Sequence, residues 1–501
     1  DQNWQLLVMT NDGLLAWKRV SGPQGNDLVP DLATSIPKPT DGGTTYLFHI
    51  RRGIRFSNGA LLKPTDVTAT LEREFKAHGP GGGFYTTIVG GTQCLNAPAS
   101  CDLRQGVVAN NAAGTVTFHL TAPDPEFLLK LALPFAYIVP AGSPNHDIGN
   151  NALPATGPYQ IESYTTDQQM VFTRNPHFHQ WSRAAQPAGY PDRIVMKIGL
   201  TTEAETTAVE QGQADWMYDQ PPSDRLNEIA TRYPHQVHVN PVPQQYYMSL
   251  NTRVPPFNNL DARRAVNYAT DRSAVIKIWG GPHLAVPTCQ ILPPGFPAYQ
   301  AYCPYTKNPG TRWTAPDMAR ARQLVAASGT RGDNVGVIVT TDAASMSTGE
   351  YFAELLNQLG YHATVKGLNS KIEYPYVQNS LNHPQISFSY WYPDYPAASD
   401  FLNVVTGCAG YHPASDASPN LSEFCDPAIQ KQTVRALKIE QTDVPAANRL
   451  WTQIDRETTD QAPWISLFVP KHVDFVSSRL GNYQFSPSVV GNFLIDQAWV
   501  Q

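Results

Sequence analysis

The stretch YLFHIRRGIRFSNGALLKPTDVTATLEREF, Tyr46–Phe75, carries three structural signals in thirty residues. Tyr46, Phe48 and Ile50 alternate with Leu47 and His49, the period-2 pattern of a strand. Arg51-Arg52-Gly53 turns, Ile54-Arg55-Phe56 continues, and Ser57-Asn58-Gly59 turns again. Pro64 then suits the first position of a helix, because its missing N–H has no partner there anyway. Asp66 places negative charge in the first turn, where the helix dipole favours it. Val67, Leu71 and Phe75 recur at i, i+4 and i+8 and give that helix an apolar stripe. Strand, turn and helix in immediate succession make this a mixed α/β chain.

Further strands follow at Thr115–Leu120 and in a hairpin, Gly157–Ile161 with Met170–Phe172. A helix over Glu203–Gln213 closes the β-rich half. The second half alternates: a strand Tyr246–Leu250, a helix Asp261–Ala269 and a helix Ala315–Ser328. Then come a strand Val335–Thr340, a helix Ser347–Leu359 and a strand His362–Lys366. A helix Ala446–Gln461 and a strand Trp464–Val469 end the series. A chain of 501 residues exceeds one compact core, and the change of pattern between its halves reads as two lobes.

Charged residues make up only 16% and the net charge is -6, with no basic run. Phosphate binding needs clustered Lys and Arg, so nucleic acid is not an expected partner. No window nears the roughly 18 consecutive apolar residues of a membrane span. The six cysteines fall in three local pairs, Cys94 with Cys101, Cys289 with Cys303, and Cys408 with Cys425. The favoured reading is three loop-closing disulfides in an oxidising compartment; six buried thiols is the other. Zinc is disfavoured, since no CxxC occurs. His177 and His179 would share a strand face but have no third ligand, so no metal and no cofactor is expected. GxSxG, HExxH, Walker A and GxGxxG signatures are all absent.

The stretch SFSYWYPDYPAASDFL, Ser387–Leu402, crowds aromatic residues around one acid, Asp394, where a strand breaks at Pro393. Either Trp391 and Tyr395 are core and Asp394 caps a turn, or a partly apolar cation docks here.

Six segments, in order, resemble the family 5 extracellular solute-binding proteins of ABC importers, the oligopeptide- and dipeptide-binding class. They are Tyr46–Phe75, Ala155–Tyr164, Phe172–Trp181, Tyr246–Arg272, Tyr390–Leu402 and Gln461–Phe468. Two departures stand out: family members commonly begin earlier, with a first strand, and Lys63 replaces a helix-capping Thr, leaving Asp66 to compensate.

The resemblance implies an α/β, two-lobed periplasmic-binding-protein-like clamp (type II, large peptide-binding class). Lobe one would be 1–242 with 471–501, carrying an extra subdomain at 30–153; lobe two would be 243–470. It implies a monomeric receptor rather than an enzyme, which holds a solute between its lobes and delivers it to an ABC permease. Its place would be the periplasm or the outer side of the cell membrane, with lipid attachment through an upstream segment. In peptide binders, the acid matching Asp394 pairs with the ligand ammonium. Tyr390, Trp391 and Tyr392 then offer a strand edge to the peptide backbone, and Trp4 lies where the family's N-terminal segment nears the ligand. The alternatives are a carrier of an oligosaccharide, opine or metal chelate, or a secreted hydrolase using Asp394 with Asp400.

Overall fold

The computed structural model describes residues 4–222, 224–487 and 493–501. Two compact units emerge, 1–238 with 474–501, and 239–473.

In the first unit, β1 (Leu15–Trp17) pairs with β2 (Leu28–Pro30). Strands β3 (Thr45–His49), β4 (Val107–Asn110) and β5 (Thr115–His119) form an antiparallel sheet in the order β3-β5-β4. Phe48 packs edge-on against Phe118 across it, and the helix Pro64–Lys76 buries Val67, Leu71 and Phe75. Asp66 compensates for the missing cap more directly than through the dipole. Its Oδ2 accepts the Lys63 N–H at 2.7 Å, and its Oδ1 accepts the Ala141 N–H at 2.9 Å. A second sheet runs β6 (Tyr159–Thr165), β7 (Gln169–Arg174) and β8 (Arg193–Lys197). Leu6, Met9, Tyr159 and Phe172 form the core against it.

The second unit is built on one seven-stranded sheet. Its path is β11 (Ala285–Pro287), β15 (Trp464–Phe475), β10 (Gln245–Leu250), β14 (Ile386–Trp391), β12 (Asn334–Thr340) and β13 (His362–Leu368). Strand β9 (Val237–Pro241) pairs with β15 off that path. The pairs β12–β13 and β12–β14 are parallel, and β10 is antiparallel to both neighbours. On one face Met248, Leu250, Ile386, Phe388, Val337 and Val339 join the main core with helices 260–269, 318–328 and 343–359. Each such side chain contributes roughly 1.5–3 kcal/mol. The opposite face carries Gln245, Tyr247, Ser249, Ser387, Ser389 and Trp391, paired across strands. Tyr247 stacks on Trp464 there, with 3.6 Å between ring centroids.

The helices differ from the sequence reading at their starts, and side-chain caps explain it. Asp317 accepts the Arg320 N–H, so that helix starts at Met318 rather than Ala315. Asp342 accepts the Ser345 N–H, so the next starts at Ala343 rather than Ser347. It ends at Leu359 because Gly360 adopts a φ of 100°, which glycine tolerates without strain. His177 and His179 lie in a turn beyond β7, not on a strand, and both are exposed. The cysteines are joined as Cys94–Cys101, Cys289–Cys303 and Cys408–Cys425. Among the described residues, no helix is long and apolar enough to cross a membrane.

Candidate functional site

Strand β14 is the centre of the site. Its six residues all pair with β10, from Ile386 opposite Leu250 to Trp391 opposite Gln245. On its other flank, β12 pairs only with Ile386 and Ser387. From Phe388 onward that flank has no strand partner among the described residues. Pro393, with no N–H to donate, follows directly.

Beyond β14 the chain turns through Tyr392–Ser399 into a π-helical turn, Asp400–Val405. Asp400 is fully buried. Its Oδ2 accepts the indole N–H of Trp391 at 2.8 Å and the backbone N–H of Asp394 at 3.1 Å. One carboxylate therefore holds both the end of the strand and the peptide unit that carries the second acid. Tyr395 is core, as the structural reading of this stretch had it, whereas Tyr390 is 53% exposed. Trp391, Tyr392 and Asp394 are half-buried.

Burial pushes the Asp394 carboxyl up to about 7, because a charge there loses its water shell. Among the described residues no Lys or Arg lies within ion-pair distance of it. The group is thus poised between its neutral and charged forms near neutral pH, and a cation placed beside it would favour the charged form.

Two residues that the sequence reading did not single out belong to this neighbourhood. Both lie on the helix Ser370–Gln378, capped by the Asn369 side chain. Tyr374 is shifted up by burial first and then by the fields of Asp394, Tyr390 and Glu373, which places its phenol near all three. Glu373 is buried, its Oε1 has no hydrogen-bond partner among the described residues, and burial pushes it up to about 7. Tyr247 senses both Tyr374 and Glu373 and is hydrogen-bonded to Ser389. Pro375 inside the helix masked it in the sequence, although Asn369 is a recognisable start signal.

Trp4 belongs to the first unit, buried edge-on against Phe135 at 5.4 Å. The site thus brings together Tyr390, Trp391, Tyr392, Asp394 and Asp400 in the second unit. Among the described residues no group of three His, Cys, Asp or Glu side chains could hold a metal ion. Asp400 has no exposed surface and is engaged in holding the turn.

Comparison with known proteins places this geometry in context. Residues 27–413 match the family described as bacterial extracellular solute-binding proteins, family 5. A di/tripeptide-binding protein of Pseudomonas aeruginosa is 24% identical over 495 residues, covering 94% of this chain and 86% of that protein. A clavulanic acid biosynthesis oligopeptide-binding protein shares the fold with a TM-score of 0.87 at 23% identity, covering 100% of this chain and 91% of that one. A binding protein from Agrobacterium tumefaciens, solved with agropinic acid, shares it with a TM-score of 0.74 at 18% identity, covering 100% and 94%. The fold class is therefore that of the large type II periplasmic binding proteins.

Proposed function

Since the chain belongs to family 5 of the bacterial extracellular solute-binding proteins, we propose that it captures an oligopeptide by its free amino terminus and delivers it to an ABC permease. The observation that carries this reading is Asp394. It is an acid at the end of a strand whose flank from Phe388 has no strand partner among the described residues; among those residues no Lys or Arg lies beside it, and burial disfavours its charge. An α-ammonium would restore the charge, and the flank of Phe388–Trp391 would accept an extended backbone. Ligand contacts by Tyr390, Trp391, Tyr392 and Trp4 belong to the same proposal. So do a binding role without turnover, a monomeric state, lipid attachment, and lobes at 1–242 with 471–501 and at 243–470, with a subdomain at 30–153.

The test is native mass spectrometry of the purified protein before and after denaturation, followed by calorimetry with matched free and N-acetylated peptides. A ladder of released masses spaced by amino-acid residues, and binding of free peptides that Asp394→Ala weakens far more than it weakens acetylated ones, is the expected result. Equal weakening of both would end the amine-clamp role. The relative solved with agropinic acid favours a second reading, a carrier of an amino-acid-derived opine. A single released non-peptide mass would decide for it.

A further inference from the structure

In the first unit, the helix Pro64–Lys76 buries Val67, Leu71 and Phe75 on one side. Thr70, Arg73 and Glu74 lie at i, i+3 and i+4 and so share another face. All three line a cavity of about 370 Å³. A water takes about 30 Å³ in the liquid, and pockets for small organic molecules begin near 300 Å³. The cavity therefore has the size of an organic guest rather than of a single water. Leu7, Phe135, Leu153 and Ile161 supply apolar wall, and Asn11 and Gln160 add side-chain amides.

Arg73 and Glu74 are both half-buried and of opposite charge, yet they do not pair. Among the described residues, neither has an oppositely charged side chain within ion-pair distance. Main chain holds each head group instead. Arg73 Nε donates to the Pro144 carbonyl at 2.8 Å and its Nη2 to the His146 carbonyl at 3.5 Å, while Glu74 Oε1 accepts the Gly81 N–H at 2.6 Å. Among the described residues, Arg73 Nη1 and Glu74 Oε2 have no hydrogen-bond partner. Burial raises the Glu74 carboxyl, although the Gly81 bond and the Arg73 field pull the other way. The loop Gly79-Pro80-Gly81-Gly82-Gly83 lies against this wall. A Cβ at Gly79 would overlap the Glu74 carboxyl, and one at Gly81 would overlap the Phe135 ring. Bare backbone thus lets the loop fix both side chains in place.

We propose that this cavity is a second ligand site, taking a free amino acid with an apolar side chain. Its ammonium would sit on Glu74, its carboxylate on Arg73, and its side chain among Leu7, Phe135, Leu153 and Ile161. The chemistry selects this class. A purely apolar guest would bury two uncompensated charges, and a guest with one charge would leave the other unpaired. A guanidinium fork also matches a carboxylate in shape. Every residue of the site belongs to the first unit, and Asp394 takes no part in it. The proposal therefore stands or falls independently of peptide capture.

The test is calorimetry of L-leucine, N-acetyl-leucine and leucinamide with the wild-type chain and with Asp394→Ala. Leucine should bind both proteins alike, and each capped analogue, lacking one charge, should bind at least about tenfold more weakly. Arg73→Gln should weaken leucine to the level of leucinamide and leave leucinamide itself unchanged. Glu74→Gln should do the same with N-acetyl-leucine. Absence of leucine binding, its loss in Asp394→Ala, or equal weakening of leucine and both analogues by the cavity variants would overturn the proposal. Should those variants not fold, a crystal structure of the wild type grown with L-leucine decides. Leucine held between Glu74 and Arg73 supports the site, and a cavity without it refutes the site.

Discussion

The carboxylate of Asp400 and the indole of Trp391 are joined at 2.8 Å, nine residues apart and on either side of the turn that carries Asp394. The same oxygen holds the Asp394 peptide N–H. Asp400 has no surface of its own, so its consequence for binding runs through the two residues it fixes. Replacing it with Ala leaves two half-buried donors without their acceptor. Hydrogen bonds to charged groups contribute roughly 1.5–3 kcal/mol each. Asp400→Ala should cost about 3 kcal/mol in denaturant unfolding and weaken ligand binding in parallel, whereas Asp400→Asn should recover part of both.

Affinity should depend on pH through Asp394. Its carboxyl sits near 7 in the free protein. Below that pH a proton must leave before an ammonium can bind, so the affinity for a free-amine peptide should drop up to tenfold per pH unit on acidification. Calorimetry at pH 5, 6 and 8, each in two buffers of different ionisation enthalpy, would read the released proton directly. Asp394→Asn should remove the slope along with most of the affinity.

Glu373 should oppose stability at high pH. Its folded value is raised from 4.5 to about 7 by burial, so the folded state favours its neutral form. Stability is lost as pH climbs between those values. Glu373→Gln keeps the shape and removes the charge; it should stabilise by up to about 3 kcal/mol at pH 8 and little at pH 4. An unchanged unfolding midpoint at pH 8 would show that water or a bound group already satisfies Oε1.

The disulfides should hold the second unit through its loops. Cys289–Cys303 and Cys408–Cys425 span 14 and 17 residues. On the chain-entropy argument each contributes about 3 kcal/mol. The Cys408→Ser/Cys425→Ser double variant should lose about that much. Because this bridge is joined through the Cys408 N–H to Gln430 of the following helix, hydrogen exchange should rise first around Pro427–Glu440.

Strands with clean alternation were legible at once. The strand read at Tyr246–Leu250 fell within a residue of its observed limits, because Met248 and Leu250 face the core. Helix starts set by a single Asp were misplaced, early by three residues at Asp317 and late by four at Asp342, because the cap lies outside the apolar stripe. The helix carrying Glu373 and Tyr374 was missed outright, since Pro375 reads locally as a breaker. The prominence of Asp394 was visible in the aromatic run around it. Its support by Asp400 was not, because that bond depends on a π-helical turn that no periodicity announces.

The free flank of β14 bears on chemistry as well as shape. β12 releases the strand after Ser387 while β10 follows it to Trp391. Main-chain groups there would interrogate a guest's amides rather than its side chains. A reader of that kind discriminates by handedness and by N-methylation, each of which spoils amide alignment, while remaining indifferent to composition. Peptides built from D-residues, or methylated on the backbone next to the amino terminus, would go unread although their charge and length were correct.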